Sequence, residues 1–252
     1  MTGKICYNKS KSYQPKRRKG KDMLGFYDYT VILTYISLIT AVSGIAAAKL
    51  DHPLAAIFCL LFCGLCDMFD GKIARSKKNR TEDEKKFGIQ IDSLCDLVCF
   101  GVLPAMICFE MMGERDYGGK LNNAIVWTAI GGVCGFYVLA GLIRLAFFNV
   151  TEESRQKKTD QVRSKYQGLP ITTAALILPI IYIPRLFIEK NSRLDLYFCI
   201  FYTAVLLIVG ILFITPFHVK KPKMKQMIAM LIGGIIIAIV LSVAYMIMHF
   251  VV

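Results

Sequence analysis

Long apolar blocks alternate with short polar segments along this chain, and the blocks outlast what a soluble helix needs. They predict seven spanning helices, near 28–49, 53–75, 89–112, 122–148, 169–188, 195–215 and 224–250. Each comes close to the roughly 20 apolar residues that carry a helix across the hydrocarbon core. The expected fold class is therefore all-α, a polytopic membrane helix bundle. One block breaks its own pattern. The second ends in Cys66-Asp67-Met68-Phe69-Asp70-Gly71-Lys72. Charge inside a span is costly and marks a functional site by default.

Charge distribution orients the bundle. Of the 252 residues 55% are apolar, yet the formal net charge is +13. In a soluble chain that excess would point to nucleic acid. Between spans it belongs to loops facing anionic headgroups, so no nucleic-acid partner is expected. With the N-terminal tail inside, the inside segments (1–27, 76–88, 149–168 and 216–226) hold 22 cations and the outside segments six. The asymmetry places the basic tail, 1–27, in the cytoplasm, as a solubilising or lipid-hugging segment without the apolar region of a signal peptide. The seventh span then leaves its uncharged end outside. Nine cysteines, most of them in apolar blocks, read as small packing residues; Cys63-x-x-Cys66 has no second ligand pair beside it.

Two runs carry the candidate chemistry, Asp67-x-x-Asp70-Gly71-x-x-Ala74-Arg75 and Gly88-x-x-x-Asp92-x-x-x-Asp96. Residues three or four apart share a helix face, so each Asp pair projects from one side of its helix. The second and third spans are joined by a short inside loop and are expected to be antiparallel neighbours. Four carboxylates then converge just inside the membrane. Hard oxygen ligands suit Mg2+ or Mn2+, and two such ions between four carboxylates suit in-line attack at phosphorus. Gly71 and Ala74 are small enough for a ligand to approach the backbone, and Arg75 offers a planar fork to a diphosphate. A proton or cation pathway, or ion pairs with Lys72, Arg75 and Arg144, are the competing readings of the same Asp residues.

These runs match the signature of the CDP-alcohol phosphatidyltransferase family, DxxDGxxAR followed by GxxxDxxxD, and the chain resembles that family over about 28–215. The spacer between Arg75 and Gly88 is twelve residues, longer than the usual eight, and the added residues are polar. The resemblance implies a six-helix core, a homodimer, and a polar cavity open to the cytoplasm, here in the cell membrane. It implies two divalent metals on Asp67, Asp70, Asp92 and Asp96, with Asp96 also the general base. Gly71, Ala74 and Arg75 would line the CDP-lipid site, with Thr34, Thr81 and Gly88 beside it. The seventh span, with the basic loop before it (216–252), reads as an addition to that core.

Further stretches narrow the acceptor. Asp92-Ser-Leu-Cys-Asp-Leu-Val-Cys-Phe-Gly-Val-Leu-Pro104, Arg144-Leu-Ala-Phe-Phe-Asn149 and Gln167-Gly-Leu-Pro170 are similar to the serine-using branch of the family. Thr34 and Ser37 stand where relatives often show Thr and Asn. The implied reaction joins CDP-diacylglycerol and L-serine, releasing CMP. Arg144, near the inside end of its span, is a candidate grip for the acceptor carboxylate or a snorkelling interfacial residue. Asn149 is a candidate acceptor ligand or a helix cap. Rival readings are the same transfer to glycerol 3-phosphate or an inositol compound, and, from another class, a cation-coupled transporter. The transporter should show paired discontinuous spans, which this sequence lacks. A structural scaffold would leave the Asp spacing unexplained.

Overall fold

The computed structural model describes residues 25, 29–77, 80–113, 120–156, 165–190, 192–220 and 224–250. The basic tail, apart from Gly25, lies outside this set. The described chain is a helix bundle: α1 (Ile32–Lys49), α2 (Pro53–Ser76), α3 (Glu82–Asp96), α4 (Leu103–Gly113), α5 (Lys120–Gln156), α6 (Ala174–Tyr182), α7 (Arg193–Ile214) and α8 (Met224–Phe250). A π-helical turn, Leu97–Val102, joins α3 to α4 into one continuous rod. Among the described residues six helices are long and apolar enough to cross a membrane, counting that rod as one. Their outer faces carry Ile39, Ile208, Ile236 and Ile239 about half exposed, as a lipid-facing surface requires.

The fifth predicted span differs from expectation. It is not a continuous α-helix over 169–188 but a 3-10 turn (Ile171–Thr173), α6, and a second 3-10 run (Ile183–Phe187). Pro179 lies inside α6 and Pro184 in the run that follows it. Each removes a backbone donor and disfavours the regular α ladder. The more extended 3-10 geometry compensates for the small residue count. At about 2.0 Å per 3-10 residue and about 1.5 Å per α residue the segment still reaches roughly 30 Å.

Two boundaries also move. The third span begins at Glu82 rather than 89, because Thr81 builds a capping box: its hydroxyl accepts from the Glu84 N–H at 3.2 Å and its own N–H donates to Glu84 Oε2 at 2.9 Å. Acidic Glu82, Asp83 and Glu84 fill the first turn, where the helix dipole favours them. The fourth span runs on to Gln156 and takes up part of the expected loop. A short antiparallel pair, β1 (Lys165–Gln167) with β2 (His218–Lys220), ties two predicted inside loops together.

Small residues let the helices close in. A Cβ at Gly64 would stand 2.7 Å from the Ala175 Cβ, so α2 and α6 pack at a distance that only glycine allows there. Hydroxyls and thiols satisfy backbone groups in the interior. The thiols of Cys63 and Cys95 donate to the carbonyls of Ser37 and Thr34 at 3.4 and 3.2 Å, holding α1 against α2 and α3. Pro104 has no N–H to offer the Phe100 carbonyl four residues earlier; the buried Tyr137 hydroxyl, on α5, donates to it at 2.8 Å. At the opposite end of the bundle, Arg185 pairs with fully buried Asp195 at 2.7 Å and Lys190 with Asp51.

Candidate active site

The site forms where the last turns of α2 meet the body of α3. The capping box fixes where α3 starts, and so where Asp92 falls along it. One carboxylate oxygen from each of Asp67, Asp70 and Asp92 lies within 4.8 Å of the other two. Asp70 is buried and Asp67 and Asp92 are half-buried. Three ionised carboxylates this close repel one another by about 3.5 kcal/mol per pair at an effective dielectric of about 20. A divalent cation relieves that repulsion, and an all-oxygen donor set fits a hard ion. The three residues can therefore bind a metal.

Asp96 stands one turn beyond Asp92, about 6 Å further along the axis, half-buried, at the point where α3 gives way to the π turn. Its oxygen falls outside the group of three. Turns of π-helix inside α-helices recur at functional sites. Here the turn re-phases the rod directly after the second carboxylate pair, and the Tyr137 bond to Phe100 supports it. Sequence reasoning missed both: Pro104 was a legible signal for an irregular ladder, whereas nothing marked Tyr137.

The remaining predicted residues divide by location. Gly71 follows Asp70 on α2; Ala74 and Arg75 continue the helix, and their side chains lie outside the described set. Thr34 is buried on α1, its carbonyl accepting from Cys95, the neighbour of Asp96. Thr81 is exposed, its hydroxyl engaged in the capping box. Gly88 lies under Arg80: a Cβ there would stand 2.5 Å from Nη2, which itself donates to the Glu84 carbonyl at 3.1 Å. Asn149 reaches across from α5 and donates to Ser93 Oγ at 2.8 Å, immediately beside Asp92. It is thus not a helix cap, since α5 continues past it. Ser93 itself went unnoticed inside the Asp motif.

Arg144 is buried rather than snorkelling. Its Nε donates to the Leu169 carbonyl at 3.0 Å and its guanidinium lies over the Phe148 ring at 5.7 Å. The Gln167-Gly-Leu-Pro170 stretch is the turn it holds. Gly168 has φ +74°, and a Cβ there would approach the Phe213 carbonyl to 3.0 Å, so the turn requires glycine. Its N–H donates to the Phe217 carbonyl at 2.6 Å.

Comparison with known proteins places this geometry. The family model for CDP-alcohol phosphatidyltransferase matches residues 29–215, the stretch that contains both Asp pairs. The chain belongs to that family. Among its relatives, a CDP-diacylglycerol–serine O-phosphatidyltransferase of Saccharomyces cerevisiae is 34% identical over 165 residues, 63% of this chain and 54% of the yeast protein. This chain thus spans about half the length of that relative. The enzyme of the same description from Helicobacter pylori strain 26695 is 24% identical over 222 residues, 87% of this chain and 82% of that protein. An archaetidylserine synthase of Methanothermobacter thermautotrophicus is 30% identical over 160 residues, 62% of this chain and 60% of that protein. Membership leaves the transporter reading without support.

Proposed function

We propose that this chain transfers a phosphatidyl group from CDP-diacylglycerol to L-serine, releasing CMP. The observation that carries the reading is the convergence of Asp67, Asp70 and Asp92 within the family signature. The serine acceptor rests on the descriptions of the relatives and on the stretches around Asp92, Arg144 and Gly168.

Asp67, Asp70, Asp92 and Asp96 are the ligands for two divalent cations, Mg2+ or Mn2+. Bound there, the cations supply neutralisation of the diphosphate and Lewis-acid polarisation of the phosphoryl group. The chain's own residues do the rest. Gly71 and Ala74 leave room for the CDP moiety, Arg75 grips its diphosphate, and Thr34, Thr81 and Gly88 belong to the same side of the site. Asp96 accepts the proton of the serine hydroxyl. The hydroxyl oxygen forms a bond to the phosphatidyl phosphorus, and the bond from that phosphorus to the CMP oxygen breaks, its electron pair leaving with CMP. Asn149 positions the Asp92 segment through Ser93, and Arg144 receives the serine carboxylate. The excess of cations in the inside loops supports a site facing the cytoplasm; assembly as a homodimer in the plasma membrane is part of the same proposal.

The test is an acceptor screen with purified protein, CDP-diacylglycerol and Mg2+ or Mn2+, following CMP release. Serine should be the efficient acceptor and EDTA should abolish turnover. Efficient transfer to glycerol 3-phosphate or an inositol compound instead would reassign the acceptor, and CMP release that survives EDTA would refute the metal site.

A further inference from the structure

The twelve residues between Arg75 and Gly88 contain no fixed position of the family signature. One of them is nevertheless seated against the site. Gly88 and Asp92 are four apart on α3, so they share a face and stand about 6 Å apart along the axis. Half-buried Arg80 fills the space over Gly88: its Nη2 is 2.5 Å and its Cζ 3.6 Å from where a Cβ would stand. Only glycine leaves that room. Nη2 donates to the Glu84 carbonyl at 3.1 Å, and the Glu84 side chain braces the same turn, its Oε2 accepting from the Thr81 N–H at 2.9 Å and its Oε1 facing Lys77 Nζ at 3.6 Å. A planar cation is thus held on α3 one turn before Asp92. Charge along the rod shows which part of a donor lies there. Before Asp92 it reads Glu82-Asp83-Glu84-Lys85-Lys86, and from Leu97 to Phe109 it is apolar. The acyl chains of a CDP-linked lipid belong with the apolar end and the nucleotide with the polar end. Of the two donor phosphates, the one attached to cytidine therefore lies toward Gly88.

We propose that Arg80 belongs to the donor site, where its guanidinium bonds to the phosphate that departs with CMP, and that position 88 is glycine in order to seat it. The inference rests on the donor assignment made above. When the bond from the phosphatidyl phosphorus to the CMP oxygen breaks, its electron pair leaves with CMP, and the departing phosphate passes from one negative charge to two. A guanidinium against that phosphate therefore binds the departing group more tightly than it binds the intact donor, which is the condition for accelerating the step. Two consequences follow from the same contact. Removing it slows turnover, and it weakens the product complex through the phosphate alone.

The experiment uses the purified full chain with Mn2+. Affinities for CMP and for cytidine are measured by competition and calorimetry, alongside kinetics with CDP-diacylglycerol and serine, in wild type, Arg80→Ala, Arg80→Lys, Gly88→Ala and the Arg80→Ala/Gly88→Ala double variant. Arg80→Ala should weaken CMP roughly 10- to 150-fold, the loss of one charge-assisted bond, and lower kcat by a similar factor. Cytidine, which has no phosphate, and the KM for serine should not move. Arg80→Lys should recover part of the loss, because it keeps the charge without the fork. Gly88→Ala retains the arginine but evicts it, since the new Cβ meets Nη2, the movable end of a long side chain. It should weaken CMP as Arg80→Ala does, and it carries the test should Arg80→Ala fail to fold. In the double variant the second change should add nothing. Wild-type affinity for CMP in Arg80→Ala or Gly88→Ala, whatever the melting temperature, overturns the proposal. Equal weakening of cytidine and CMP overturns it too, and makes Arg80 a brace of the 77–81 connection. Full additivity in the double variant overturns the seating role of Gly88. A wild type that neither binds CMP nor releases it from CDP-diacylglycerol refutes the donor reading beneath the inference, and the inference falls with it.

Discussion

Replacing Asp92 by Asn should make the metal-free protein more stable while destroying its activity. Asp92 takes part in two of the three close carboxylate pairs, each with oxygens within 4.8 Å. At an effective dielectric of about 20, each pair costs about 3.5 kcal/mol, so the substitution removes up to about 7 kcal/mol of repulsion. Solvent, relaxation and small counter-ions reduce that upper bound. Even a seventh of it, about 1 kcal/mol, raises the melting temperature of a chain this size by about 2–4 °C. The assay is a thiol-reactive fluorescent melt in detergent, which reports unfolding through the buried cysteines, Cys63, Cys95 and Cys99 among them. In EDTA, Asp92→Asn should melt above wild type. With Mn2+ the wild type should gain stability by mass action and the variant should gain little. Turnover of the variant should be lost under both conditions. A variant that melts below wild type in EDTA and still responds fully to Mn2+ would refute the claim that these three carboxylates form one electrostatic unit with a cation at its centre.

Asn149→Ala should remove the bond to Ser93 Oγ, costing about 0.5–1.5 kcal/mol, and should lower turnover more than donor binding; steady-state kinetics with both substrates varied checks this split. Gly64→Val should destabilise the protein by about 1–3 kcal/mol or prevent its assembly, because a Cβ already meets Ala175 at 2.7 Å; the melt and the yield of monodisperse protein read it out. Arg144→Ala should raise the KM for serine by roughly 10- to 150-fold and that for serinol, which lacks the carboxylate, far less. Equal losses for both alcohols would assign Arg144 to holding the Gly168 turn through the Leu169 carbonyl, a bond already present at 3.0 Å.

The linear pattern of the chain determined a great deal. Block lengths near 20 apolar residues announced a membrane bundle, because a span's length follows from bilayer thickness and helix rise alone. The two Asp pairs were legible because spacings of three and four put residues on one helix face in any context. The glycine of the 167–170 turn was visible as a residue, but its necessity follows only from φ +74° and the nearby Phe213 carbonyl. Other features depend on contacts between distant segments. The convergence of Asp67 and Asp70 with Asp92 required two helices to meet, and the capping box that fixes where α3 starts was present in the letters Thr81 to Glu84 and went unread as such. The π turn after Asp96 is stable because Tyr137, 37 residues away from Phe100, supplies the donor that Pro104 lacks. Arg144 looked like an interfacial cation by position, yet its Nε binds a carbonyl 25 residues on, in a turn that only the folded chain brings to it. The place of α8 had no local signature at all: its apolar face reads the same whether it meets bulk lipid or packs against α2 and α6, and only the packing of the three helices decides which.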